Sequence, residues 1–215
     1  GYELVNGGQV SLINRLDRET SGAVLVAKSA AAARMAAMAM QEGKIHKSYV
    51  AIVNGWPDGE FEVDAPIIRL GEVAVSKIHL QRTVHTSGAR SHTRFHLIKS
   101  FERAEGRFAL VSAEPLTGRT HQIRVHLAHA GHPVVGDKIY GPSPDCYLEF
   151  IRTGWTPALA ARLLLSRHAL HSARIALEWN GEALGWSCEL PADMRQFIGP
   201  DFPSLLPQAE SRALL

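Results

Sequence analysis

The way its strands are joined constrains this 215-residue chain more than any other feature. Asn180-Gly181 separates two strand-like runs, 169–179 and 184–190, and Asn-Gly is the pair best suited to the positive-φ positions of a two-residue hairpin. Glu105-Gly106 likewise separates runs at 93–98 and 108–113. Strands joined by tight turns pair antiparallel, whereas a doubly wound nucleotide-binding sheet needs crossover helices. The pattern therefore predicts a mixed α+β fold with a largely antiparallel sheet and flanking helices. Neither a Walker loop nor a dinucleotide-binding glycine fingerprint is present.

Further elements follow from local signals. Residues 11–13 and 23–27 read as strands with Asp17 in the loop between them, and 47–53 reads as a strand stopping at Asn54-Gly55. Ser29 can cap a helix running to Gln41, with Gly43 behind it, and Met35, Met38 and Met40 are assigned to the core. Thr120 is expected to cap a helix from His121 to Ala130, ended by Gly131. Two shorter helices are expected near 157–165 and 191–198. Residues 56–90 carry weak patterning, and the tail beyond Pro200 reads as loosely held.

A chain that is 46% hydrophobic can bury a core without metals or disulfides. It reads as a single domain over 1–215 that starts inside a longer one, since Gly1 to Asn6 lacks the character of a start. Cys146 and Cys188 have no close partner and are expected to be buried thiols in a reducing cytosol. No apolar run approaches the roughly 20 residues that cross a bilayer. A soluble, cytoplasmic, monomeric protein is the expectation. The net charge of +2 is too small to attract nucleic acid globally, so any such binding must use local clusters.

His121, His126, His129 and His132 fall within twelve residues, which suggests a metal-dependent hydrolase. Zinc sites on helices more often use a glutamate-bearing two-His motif with an acidic or cysteine third ligand, and this segment lacks both. No metal is expected. In Arg15-Leu16-Asp17-Arg18-Glu19-Thr20-Ser21-Gly22 a carboxylate lies between two arginines, and a short Arg-x-Asp of this kind is ordinarily a surface turn.

The longer run changes that reading, because it closely resembles the catalytic motif of RluA-type pseudouridine synthases. Lys47-Ser48-Tyr49-Val50-Ala51 resembles the family's tyrosine motif, and the run from Leu116 through Arg119-Thr120-His121-Gln122-Ile123-Arg124 to Leu127 its arginine motif. The likeness continues through Gly131 to Asp137, Tyr140-Gly141 and Ala169 to Ala173. The family usually has His where this chain has Asn14.

The resemblance implies the pseudouridine synthase fold with a central active-site cleft, and an enzyme that isomerises a uridine of ribosomal or transfer RNA. Asp17 would be its catalytic carboxylate, Tyr49 the aromatic residue against the uracil, and Arg119 the cation paired with the aspartate. Arg15, Arg18, Thr20, His121, Gln122 and Arg124 would bind substrate, with Lys138 and Arg167 as weaker candidates for backbone contacts. Breaking N1–C1′, turning the base and rejoining it through C5 is redox-neutral, so no cofactor is expected. The reaction needs a carboxylate acting as nucleophile or base and a positive partner to position it. Sequence leaves those two acts undivided. A non-catalytic RNA-binding module is the other reading of the same residues.

Overall fold

Residues 10–179 and 181–200 are described in the computed structural model of the chain. In chain order the described elements are β1 (Ser11–Leu12), β2 (Ser21–Gly22), β3 (Val26–Ala27), α1 (Ala30–Gln41), β4 (Ile45–Asn54), β5 (Glu60–Asp64), β6 (Ile67–Arg69), a 3-10 turn (Leu70–Glu72), β7 (Arg82–Val84), β8 (His92–Arg103) and β9 (Gly106–Pro115). They continue with α2 (Gln122–His129), α3 (Asp145–Thr153), α4 (Pro157–Leu163), β10 (Leu170–Trp179), β11 (Glu182–Ser187) and α5 (Ala192–Ile198). The main sheet runs β11-β10-β4-β9-β8-β5, with every one of these pairs antiparallel and β2 alone parallel to β10. This is the α+β architecture that the hairpin signals predict. No helix among the described residues is long and apolar enough to cross a membrane.

Val50 to Val53 on β4 and Phe108 to Val111 on β9 are buried at consecutive positions. Neighbouring strand residues point to opposite faces, so both faces of the sheet centre are covered. On the hairpin of β8 and β9 the packing includes Phe108, whose ring meets Phe197 of α5 edge-on at 5.1 Å. Truncating a residue such as Ile52, fully buried here, costs about 2–5 kcal/mol in a site of this kind.

The sheet splits at Tyr49. β9 pairs with β4 only from Tyr49 to Asn54, while β10 continues along β4 from Ala51 to Ile45. β9 instead stays with β8 as far as Pro115. The cleft opens in the resulting gap. On the side of β10 away from β4, β2 docks so closely that a Cβ on Gly22 would lie 2.2 Å from the Ser172 carbonyl oxygen; with φ +115° this position needs glycine.

Several expectations are corrected. Ser29 does cap α1, its Oγ accepting from the Ala32 N–H. That helix turns Ala36 and Ala39 inward, however, and leaves Met35 and Met38 exposed at 42% and 58%. Thr120 does not cap α2: the cap position is His121, in the left-handed region at φ 59°. Helix α3 was not expected, and it buries Cys146 against Leu159 and Leu163 of α4. Cys188 is half-buried rather than interior. Residues 23–27 form a strand only at Val26–Ala27. The tail expected beyond Pro200 lies outside the described residues.

Candidate active site

The segment carrying Asp17 crosses between β1 and β2 and is fixed from several sides. The Leu25 N–H donates to Asn14 Oδ1 at 2.7 Å, and the Thr20 N–H to the Asp17 carbonyl at 3.0 Å, closing a tight turn. Glu19 takes both its carboxylate oxygens to Lys138 Nζ at 2.7 and 2.9 Å, and Lys138 also donates to the Ser166 carbonyl. Thr20 Oγ1 pairs with His168 Nε2 at 2.7 Å, and Ser21 Oγ with His171 Nδ1 at 2.9 Å. Burial lowers His168 to about 3, so it is neutral and serves as a hydrogen-bonding strut.

Asp17 pairs with Arg124, not with Arg119. Arg124 Nη1 lies 3.0 Å from Asp17 Oδ2, while its Nε and Nη2 grip Asp137 at 2.6 and 2.9 Å. Arg124 sits on α2 among Ile123, Val125 and Leu127, all buried, and a guanidinium in such company requires acidic partners. Asp137 is fully enclosed. Burial alone would raise its pKa, but Arg124's charge and hydrogen bonds outweigh that and hold the carboxyl well below the usual range. The Tyr140 ring covers the guanidinium at 5.0 Å.

Arg119 stands outside the helix in the loop after β9, where its Nε donates to the Arg90 carbonyl at 3.1 Å. It lines the cleft but is not the aspartate's partner. Gln122 binds the protein with its whole amide: Oε1 accepts from Thr117 Oγ1 and the Arg119 N–H, and Nε2 donates to the His92 carbonyl and Thr93 Oγ1. That exhausts its usual capacity. Gln122 therefore shapes the loop from Leu116 to Arg119, and the hydroxyl of Thr20 is similarly committed to His168. Lys138 and Arg167 are bound to Glu19 and Asp193, which commits both of these expected backbone-contact cations to partners within the protein.

The remaining candidates are more open. Arg15 is exposed on the cleft wall, and Arg18 is exposed but outside the lining. Tyr49 is buried at the split in the sheet, and burial, with Asp17 nearby, pushes its hydroxyl above the usual tyrosine range. Lys47 was missed as a site residue although the motif contains it. Its Nζ lies 3.9 Å from where a Gly118 side chain would begin, and burial lowers its pKa with no carboxylate opposing. His126 satisfies both ring nitrogens within the protein, at Thr93 Oγ1 and the Ala65 carbonyl. Among the described residues no His, Cys, Asp and Glu group is arranged to hold a metal ion.

The cleft encloses about 1010 Å³ and is bordered by Asp17, Tyr49, Arg15, Lys47, Arg119, His121 and Arg174. That reaches the upper end of small-ligand pockets, about 300–1,000 Å³, and allows more than a single base to enter. A carboxylate held by a buried cation, an aromatic ring beside it and a cationic rim can receive a polyanion and act on one unit of it.

Comparison with known proteins gives this geometry a context. Residues 2–129 match the family described as RNA pseudouridylate synthase. Over 197 residues the chain is 34% identical to a Chloroflexus aurantiacus protein named "Uncharacterized RNA pseudouridine synthase", covering 90% of this chain and 54% of that protein. Over 195 residues it is 36% identical to "Ribosomal large subunit pseudouridine synthase C" of Pasteurella multocida, covering 88% and 54%. The chain spans about half the length of these curated relatives. Among solved structures, "Human RNA Pseudouridylate Synthase Domain Containing 1" matches with a TM-score of 0.65 at 26% identity, over 84% of this chain and 69% of that one.

Proposed function

The chain belongs to the RNA pseudouridylate synthase family, and on that premise we propose that it converts a uridine of large-subunit ribosomal RNA to pseudouridine in the cleft around Asp17. The observation that carries the reading is the Asp17–Arg124 ion pair, placed in a cleft that also presents Tyr49. The choice of large-subunit RNA rests on what relatives such as the Pasteurella multocida protein are named for. Such a substrate fits a cytoplasmic location.

The target nucleotide must be unpaired or turned out of its stack before a recessed carboxylate can reach it. Asp17 then engages it, as a nucleophile or as a base, while Arg124 fixes the carboxylate's position. The N1–C1′ bond breaks, the base turns, and C5 joins C1′. C5 gives up its proton and N1 gains one, so the atoms of substrate and product are the same. The Tyr49 ring packs against the base. Its raised pKa disfavours a phenolate acting as the proton acceptor. Arg15, Lys47 and Arg119 on the rim face the RNA backbone, where each phosphate contact adds salt-dependent affinity.

The purified chain incubated in parallel with unmodified large-subunit ribosomal RNA and transfer RNA transcripts tests the proposal, with pseudouridine measured after nuclease digestion. New pseudouridine at a discrete position supports it. Product in transfer RNA alone would move the substrate assignment, and product in neither RNA would contradict the catalytic reading.

A further inference from the structure

His121 presents its imidazole to the cleft from a backbone conformation that residues with a Cβ seldom adopt, φ 59° and ψ 15°. Strain of this kind tends to collect at functional positions. The ring's proton is also fixed by its neighbours. The Arg82 N–H donates to Tyr140 Oη at 2.9 Å, and Tyr140 Oη lies 2.8 Å from His121 Nδ1. Burial raises the Tyr140 hydroxyl, so it keeps its proton, and with the Arg82 N–H already on its oxygen the arrangement that gives that proton an acceptor is the hydroxyl donating to Nδ1.

With Nδ1 accepting, the single hydrogen of a neutral ring sits on Nε2. Burial lowers His121 to about 4; Arg124 and Arg82 push the same way, while Asp17 and Asp137 oppose. The ring is thus neutral near pH 7. Among the described residues nothing accepts a hydrogen bond from Nε2. It is a fixed, neutral donor left open beside the carboxylate site.

We infer that His121 is a specificity-determining residue whose Nε2–H, held by Tyr140, donates to the O4 carbonyl oxygen of the base seated between Tyr49 and Asp17. The inference rests on the reading that this cleft takes a uridine. Uracil offers two carbonyl oxygens flanking N3–H, whereas cytosine replaces one of them with an amino group that would oppose the donor. A site built around one hydrogen bond rejects the analogue that cannot complete it. The Arg82–Tyr140 contact also gives the weakly patterned segment 56–90 a task, since it sets the tautomer from outside the cleft.

Two measurements test this. In 15N imidazole spectra of the wild-type chain between pH 6 and 8, His121 should show a protonated Nε2 and a bare Nδ1, and Tyr140→Phe should lose that single tautomer. A protonated Nδ1 in the wild type overturns the inference. Binding is then measured with decamers of oligouridylate and oligocytidylate, whose phosphates match, so that the backbone contribution cancels. The wild type should prefer the uridine decamer by about tenfold or more, as expected for one base contact. His121→Phe should lose that preference. His121→Asn, which tolerates the left-handed backbone and keeps an N–H, should retain most of it. Equal binding of the two decamers by the wild type, or a preference that survives in His121→Phe, overturns the inference. Neither arm requires turnover, so a failure of the catalytic proposal would be seen separately, as absent pseudouridine.

Discussion

Arg124 holds two acids at once, Asp17 through Nη1 at 3.0 Å and Asp137 through Nε and Nη2 at 2.6 and 2.9 Å. Asp137 is enclosed, and its Oδ1 also accepts from the Ile139 and Tyr140 N–H groups. The end of the guanidinium that meets Asp17 is therefore aimed by the interior of the protein. Arg124→Met would strand a buried carboxylate, and we expect a loss of about 3–5 kcal/mol in unfolding free energy by denaturant titration. Arg124→Lys keeps the charge but not the fork, and should cut kcat far more than it raises KM. Normal turnover in Arg124→Lys would show that the two-acid geometry is not required.

Acid should weaken the fold earlier than carboxylates alone would cause. His168 has a folded pKa lowered by burial to about 3, so between the unfolded value near 6.5 and that point the unfolded chain binds more protons. Stability is then complete above about pH 6.5 and declines as pH falls, with a slope approaching about 1.4 kcal/mol per unit from this residue. Asp137, depressed by Arg124, adds a further loss below about pH 4. Unfolding curves at steps of pH should show the first decline in the wild type and reduce it in His168→Gln. A stability flat from pH 7 to 4.5 would contradict the neutral strut.

Tyr49→Phe keeps the ring and removes a hydroxyl that burial holds protonated. RNA affinity and KM should stay near wild type, while Tyr49→Ala should weaken binding by roughly tenfold or more through lost stacking, about 1–3 kcal/mol per base. The wild-type kcat profile should show no phenolate limb up to about pH 10. A limb near pH 8–9 that disappears in Tyr49→Phe would restore the tyrosine as a base.

Lys47 is a desolvated ammonium with no carboxylate acting on it. Lys47→Met should leave thermal stability unchanged or higher, because the cost of burying the charge is removed. It should also lower the slope of log affinity against log salt by about one. Arg119→Gln should behave alike toward salt and leave the Asp17–Arg124 pair in place. An unchanged salt slope in both variants would remove the rim from the RNA interface.

Much of this site is legible in the sequence, and the misses have physical causes. Asn180-Gly181 and the alternating runs announce antiparallel pairing, and the Asp17 motif announces its loop. Choosing Arg124 over Arg119 depends on where a loop becomes a helix, and Thr120 misleads because Gln122 and the left-handed His121 organise that junction instead. A signal was available: Arg124 lies between Ile123 and Val125 in an apolar stretch, and a buried arginine implies a buried acid such as Asp137. The exposure of Met35 and Met38 was less accessible, since an Ala-rich helix can turn either small or large residues inward. The burial of Lys138 and Arg167 against Glu19 and Asp193 depends on contacts more than twenty residues apart, and local pattern carries none of that.

In the proposed reaction Asp17 performs the chemistry and Arg124 places it. Asp17→Asn is nearly isosteric and retains an oxygen that can meet Arg124, so the fold and RNA affinity should remain close to wild type. Pseudouridine formed on large-subunit ribosomal RNA, followed under single-turnover conditions with enzyme in excess, should fall below detection in this variant while the wild type converts its site. Conversion by Asp17→Asn at a rate approaching that of the wild type would contradict the account.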